Sequence, residues 1–189
     1  QRVVIAGALA LEPELLVADE PVASLDASVR GEILALLLRL RTELRLSALV
    51  VTHDLGLAWN IADRVAVMYL GRIVETGAVE QVLTAPRHPY TQALMSVLPE
   101  APGVPVVLTG EPPDPTHVPS GCRFHARCQI LAGGEAERAG VADACRHQDL
   151  EVLSGRGESQ VACHWATSLR GAGNCATSHN APAEGPAES

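Results

Sequence analysis

The chain has 189 residues, a formal net charge of −8, 47% hydrophobic residues and only 3% aromatic ones. That balance offers neither a basic face for a phosphate backbone nor rings on which bases stack, so nucleic acid is not an expected partner. The longest apolar stretches, such as Ile33 to Leu38, fall well short of the ~20 residues a membrane span needs, and no leader-like segment opens the chain, so a cytoplasmic protein is expected.

In chain order, an opening helix precedes the run Leu15-Leu16-Val17-Ala18-Asp19-Glu20-Pro21, which reads as a buried parallel strand ending in two carboxylates. Open α/β sheets bind ligands at the carboxyl ends of their strands, and adjacent acids there suit nucleotide hydrolysis. Asp19 would hold Mg²⁺ through its water shell while Glu20 acts as base on the attacking water. A long amphipathic helix is expected from about Ser28 to Leu46, with Ile33, Leu36, Leu37 and Leu40 as a core-facing stripe. A second strand, Ala48 to Thr52, delivers His53 to a matching edge, where an imidazole can hydrogen-bond a terminal phosphate and water. Taken singly, Asp-Glu-Pro also reads as a helix start and Thr-His-Asp as a capped turn.

A short helix near Leu57 to Ala62, a strand from Arg64 to Leu70, a tight turn at Gly71-Arg72 and a returning strand to Thr76 follow, with Met68 and Tyr69 expected to pack. The succession predicts an α/β fold whose sheet is mostly parallel with an antiparallel edge. From Ala78 a short helix runs to Leu83, and another begins in Pro86-Arg87-His88-Pro89-Tyr90-Thr91-Gln92-Ala93-Leu94. His-Pro-Tyr is by itself no more than a rigid turn. Pro99, Pro102, Pro105, Pro112, Pro113, Pro115 and Pro119 exclude helix and predict extended linker.

All five cysteines lie beyond that linker. Cys122, Cys128, Cys145 and Cys163 are candidate soft donors for a metal, and Cys175 sits in a Gly- and Ser-containing tail as a bystander. Zinc held by the same thiolates, with His125 or His164 as further ligands, disulfides and ordinary free thiols are the competing readings. After Ala166 the periodicity lapses and a disordered tail is expected.

Taken together, these motifs resemble the ATP-binding subunit of ABC transporters. Gln1 to Leu9 is similar to the helix after the LSGGQ signature, Leu15 to Pro21 to the Walker B strand, Ser24-Leu25-Asp26 to the D-loop and His53 to the switch histidine. No G-x-x-x-x-G-K-S/T phosphate loop, LSGGQ or Q-loop occurs, so the chain reads as beginning just after the signature and as inactive on ATP by itself. His88-Pro89-Tyr90 in this position resembles the C-terminal extension of the oligopeptide and dipeptide importer branch, with nickel as the other cargo of that branch. In that branch four cysteines can hold a four-iron four-sulfur cluster, which the order Cys122, Cys128, Cys145, Cys163 matches, although the segment between Cys128 and Cys145 is longer than the family pattern.

The resemblance implies the C-terminal part of a P-loop NTPase-type parallel sheet with helices, followed by a small Cys-containing extension. Its boundaries fall at 1–83 for the nucleotide-binding part, 84–166 for the extension and 167–189 for the tail. It implies ATP and Mg²⁺ as cofactors, a second ATPase subunit reached through the D-loop, two transmembrane permeases, and, indirectly, an extracytoplasmic peptide-binding protein. Such a subunit lies peripherally on the cytoplasmic face of the membrane. A truncated remnant whose cysteine module binds a metal or partner, without ATP, is the alternative.

Overall fold

The computed structural model describes residues 2–23, 25–99, 101, 103–153 and 159–173, in two compact units, 1–63 and 64–189. The D-loop candidate Ser24, Cys175 and the tail from 174 onward lie outside the described residues.

The first unit contains α1 (Arg2–Leu9), β1 (Leu15–Asp19), α2 (Ala27–Leu44), β2 (Ser47–Val51) and α3 (Leu55–Ile61). β1 and β2 pair in parallel from Leu15 opposite Ser47 to Asp19 opposite Val51, with α2 as the crossover that parallel pairing requires. α2 stops at Arg45, which takes a left-handed φ of 54° and donates its N–H to the carbonyl of Arg41, the cap that closes a last turn. Ile5, Val22, Ile33 and Leu57 are buried together, and Leu36, Leu37 and Leu40 pack on them, so the stripe of α2 is core. Leu15, Val17, Leu49 and Val51 are exposed. By the two-residue period of strands they share one face of the sheet with Asp19.

The second unit contains β3 (Arg64–Tyr69), β4 (Arg72–Ala78), α4 (Val79–Thr84), α5 (Pro89–Ser96), a 3₁₀ turn η1 (His125–Arg127), α6 (Gln129–Ala132), α7 (Glu135–Arg138), α8 (Ala142–His147), β5 (Gln160–Val161) and α9 (His164–Gly173). β3 and β4 form a hairpin whose two-residue turn, Leu70-Gly71, has φ of 46° and 72°, the paired positive values that match the twist of a hairpin. β5 adds antiparallel to β4, with Val161 opposite Glu75. The fold is therefore mixed α/β: among the described residues β1 and β2 pair in parallel, and β3, β4 and β5 pair antiparallel. The two-residue turn dictates the antiparallel pairing of β3 with β4, because so short a connection can join only antiparallel neighbours.

Tyr69 is buried as expected, but Met68 is 57% exposed; the strand register shifts between Val67 and Met68. Among the described residues from 99 to 119 no helix or strand forms, yet Leu108 packs into the cluster around Phe124. α9 continues to Gly173, past the point where the sequence periodicity lapses, helped by Thr167 Oγ1 donating to the carbonyl of Cys163 at 2.8 Å.

Candidate functional site

Parallel pairing brings the end of β1 beside the end of β2, and the two sequence-predicted motifs meet there. The N–H of Glu20 donates to the carbonyl of Val51 at 2.9 Å, one step past the last strand pair. Glu20 has φ 44°, a left-handed conformation that costs a non-glycine residue roughly 1 kcal/mol and turns its side chain out of the strand's alternation. The carboxylate then faces the second motif. Oε1 accepts the backbone N–H of His53 at 3.0 Å and lies 2.7 Å from His53 Nδ1, while Oε2 accepts Thr52 Oγ1 at 3.4 Å. The His53 ring bond is the main cause holding the Glu20 carboxyl below its ordinary range, partly opposed by desolvation.

The capped-turn reading of Thr52-His53-Asp54 is also realised. Thr52 Oγ1 accepts the Asp54 N–H at 3.0 Å, and Asp54 caps α3 by accepting the N–H of Leu57 at 3.0 Å. Capping thus orients the loop that points His53, 82% exposed, at Glu20. Asp19 is exposed at the end of β1. Asp26 stands at the N-cap of α2 with no capping side-chain bond, its carbonyl receiving Arg30 N–H at 2.9 Å. The role of Thr52 was not read from the sequence; a hydroxyl preceding His-Asp at a strand end was the available signal.

In the second unit Cys122, Cys128, Cys145 and Cys163 all line one small cavity, together with His88, Phe124, His125, His164 and Trp165. All four are free thiols. Among the described residues, no group of three or more His, Cys, Asp or Glu is gathered as a site for a single metal ion. The cavity has a volume of about 10 Å³, the room of about one water.

Glycine makes that convergence possible. Cys122 N–H donates to the carbonyl of Cys145 at 2.9 Å, and a Cβ on the preceding Gly121, whose φ is 67°, would lie 2.7 Å from that same oxygen. Burial pushes the Cys122 thiol up to about 11 and the Cys163 thiol up to about 12, and raises Cys128 and Cys145 as well. A backbone amide already points at one of the sulfurs: Ala166 N–H reaches Cys163 Sγ at 3.5 Å.

His88-Pro89-Tyr90 is the joint between this module and the hairpin. His88 caps α5, Nδ1 accepting Tyr90 N–H at 3.0 Å, and Pro89 occupies the first turn. Tyr90 and Tyr69 stack around Phe124 with ring centroids 4.8 to 5.4 Å apart. Beneath the joint lies Glu75 of β4, fully buried, whose two oxygens accept the N–H groups of Arg87 at 2.8 Å and His88 at 3.0 Å. Sequence reading missed Glu75, although an acid within the apolar run Ile73-Val74-Glu75 was its signal.

Residues 74–132 match the family described as oligopeptide/dipeptide transporter, C-terminal region, a span that holds Glu75, His88, Cys122 and Cys128. The chain is 48% identical over 132 residues to the dipeptide transport ATP-binding protein DppF of Haemophilus influenzae, covering 68% of this chain and 40% of that protein. It is 39% identical over 170 residues to the oligopeptide transport ATP-binding protein AppF of Bacillus subtilis, covering 87% of this chain and 49% of that one. The chain thus spans less than half the length of these curated relatives. A solved structure of cbiO1 from Clostridium perfringens, part of the ABC transporter complex cbiONQ, shares 38% identity over 44% of this chain and 34% of its own, at a TM-score of 0.42 that adds nothing to the description of the fold. Over most of its length the chain is a relative of the ATP-binding subunits of peptide ABC importers, and it carries the C-terminal region of the oligopeptide/dipeptide transporter family.

Proposed function

We propose that the chain forms the C-terminal part of a subunit that hydrolyses ATP to energise peptide import. The Glu20 and His53 pair at two parallel strand ends carries this reading. Glu20 is held ionised and aimed, as a general base for the attacking water requires. Its carboxylate accepts from His53 Nδ1, so that nitrogen carries the proton, and the exposed Nε2 edge is left to sense the terminal phosphate. Asp19, exposed beside Glu20, serves Mg²⁺ through its water shell. When bound, the ion neutralises charge on the phosphates.

Residues 1–83 would belong to the nucleotide-binding part and 84–166 to the extension. Asp26, with Ser24, would meet a second ATPase subunit, and the pair would drive two permeases from the cytoplasmic face of the membrane, supplied by an extracytoplasmic peptide-binding protein. The named roles of the relatives support this, as do the apolar side chains Leu15, Val17, Leu49 and Val51, which are exposed on one face of the β1–β2 pair. No helix among the described residues is long and apolar enough to cross a membrane. The test is uptake of a labelled dipeptide by cells whose gene encodes Glu20→Gln. Loss of uptake with normal protein level is expected; unchanged uptake overturns the reading, and loss of ⁶³Ni²⁺ uptake alone would make nickel the cargo.

The cysteine cavity supports a four-iron four-sulfur centre held by Cys122, Cys128, Cys145 and Cys163. Four soft thiols match the donor set. Such a centre supplies electron storage or a structural clasp. Iron and sulfide in the anaerobically purified chain, lost in Cys122→Ser, are expected; stoichiometric zinc in a colourless chain overturns this assignment.

A further inference from the structure

A second cavity of the same unit shares His125 and Cys128 with the thiol cavity but is far larger, a groove of about 510 Å³. That is the size of a small-molecule site, roughly 300 to 1,000 Å³. The groove is lined by Val107, Leu108 and Thr109 of the linker, by residues of the η1–α6 segment, and by Arg146 of α8. Arg127 Nε reaches the carbonyl of Thr109 at 3.4 Å, so the linker and η1 are in contact here.

The chain is acidic as a whole, with 22 Asp and Glu against 14 Lys and Arg, yet among the described residues two arginines and no acid line this groove. Arg146 is already matched, its Nη2 lying 3.1 Å from Glu137 Oε1. Arg127 has no carboxylate partner among the described residues; its bond there is the one to the Thr109 carbonyl. The groove therefore offers an occupant one uncompensated guanidinium, a planar fork that suits a carboxylate or a phosphate. A single cation balances a monoanion and leaves a dianion half unpaired. A ligand's ammonium finds no carboxylate among the lining residues. Val107, Leu108 and Leu131 add apolar wall, and Val107 is 81% exposed, so an apolar body lying there would gain by covering it.

We propose that this groove is a binding site for a small organic monocarboxylate, its carboxylate held by Arg127 and its apolar body covered by Val107, Leu108 and Leu131. A carboxylate paired with a guanidinium beside apolar walls makes charge-assisted hydrogen bonds partly shielded from water, so Arg127 carries the affinity. Arg146, matched to Glu137, contributes less. Because the lining comes from the linker and from η1–α6, an occupant would join these two segments. The site needs neither a metal in the thiol cavity nor ATP at Glu20.

The experiment titrates the 189-residue chain with sodium hexanoate, hexylammonium chloride and dianionic hexyl phosphate by calorimetry, and locates the bound molecule by ¹⁵N amide shifts. Saturable binding of hexanoate is expected, tighter than that of the other two, with shifts at Val107, Leu108 and Arg127. Arg127→Gln should weaken it about tenfold or more, the usual worth of a hydrogen bond to a charged group. Glu137→Gln, which leaves Arg146 unmatched, should move the preference toward hexyl phosphate. No saturation at millimolar hexanoate, shifts confined to other residues, or equal binding by Arg127→Gln overturns the proposal. Tighter binding of hexylammonium or hexyl phosphate by the unsubstituted chain overturns the monocarboxylate assignment. If Arg127→Gln does not fold, the head-group order and the shift map of the unsubstituted chain decide alone.

Discussion

Glu75, buried in β4, holds the backbone N–H of His88 at 3.0 Å, thirteen residues along the chain, and so ties the start of α5 to the sheet. Its other oxygen takes the N–H of Arg87 at 2.8 Å. Glu75→Ala removes the acceptor of two amides at once. A loss of about 2 to 4 kcal/mol is expected in urea unfolding, with Glu75→Gln, which keeps one oxygen, losing about half as much. Equal midpoints for Glu75→Ala and wild type would remove this role.

Gly121→Ala should be more damaging than its single methyl suggests. The added Cβ would meet the Cys145 carbonyl oxygen at 2.7 Å, in a left-handed backbone that itself costs an L-residue roughly 1 to 2 kcal/mol. Because Cys122 and Cys145 are clasped at that point, iron content of the loaded chain should fall with stability. Full iron loading by the variant would contradict the clasp.

Acid should weaken the joint around His88. Its folded pKa, about 4, lies below the ordinary 6.5, so its contribution is present above pH 6.5 and is lost as pH falls toward 4. The whole effect is on the order of 3 kcal/mol, because each tenfold change in proton affinity between folded and unfolded chain is worth about 1.4 kcal/mol. A pH series of urea midpoints should show this loss in wild type and not in His88→Asn.

The thiols carry the opposite sign. Folding raises Cys122 from 9.0 to about 11 and Cys163 from 9.0 to about 12 through burial, so the metal-free fold is favoured below pH 9 and loses stability as pH rises through that window. Metal binding must displace those protons, so affinity should increase with pH and loading should release protons. Proton release on iron loading in weak buffer measures this directly.

Glu20→Gln should leave the fold intact and lower ATP turnover of the complete subunit by about 10²- to 10⁴-fold, the usual contribution of a general base. Phosphate release is the measurement, and turnover within about threefold of wild type, far short of that contribution, would reassign the base.

In the sequence, the apolar run ending in acids determined β1 and, with the helix that follows it, the parallel crossover, although the burial expected of that strand is not met, since Leu15 and Val17 are exposed. The stripe of α2 was equally legible, since its period is that of the helix. The strand-end motifs carried the resemblance to the ATP-binding subunits, and His-Pro-Tyr with the order of the cysteines carried the resemblance to the peptide-importer branch. Tertiary structure alone decided which groups meet. The 2.7 Å approach of His53 to Glu20 depends on strand register, the short β5 depends on a partner strand far away in sequence, and the shared cavity of four cysteines depends on a close pass at Gly121. These are contacts between segments distant along the chain, and no periodicity within one segment encodes where another will lie.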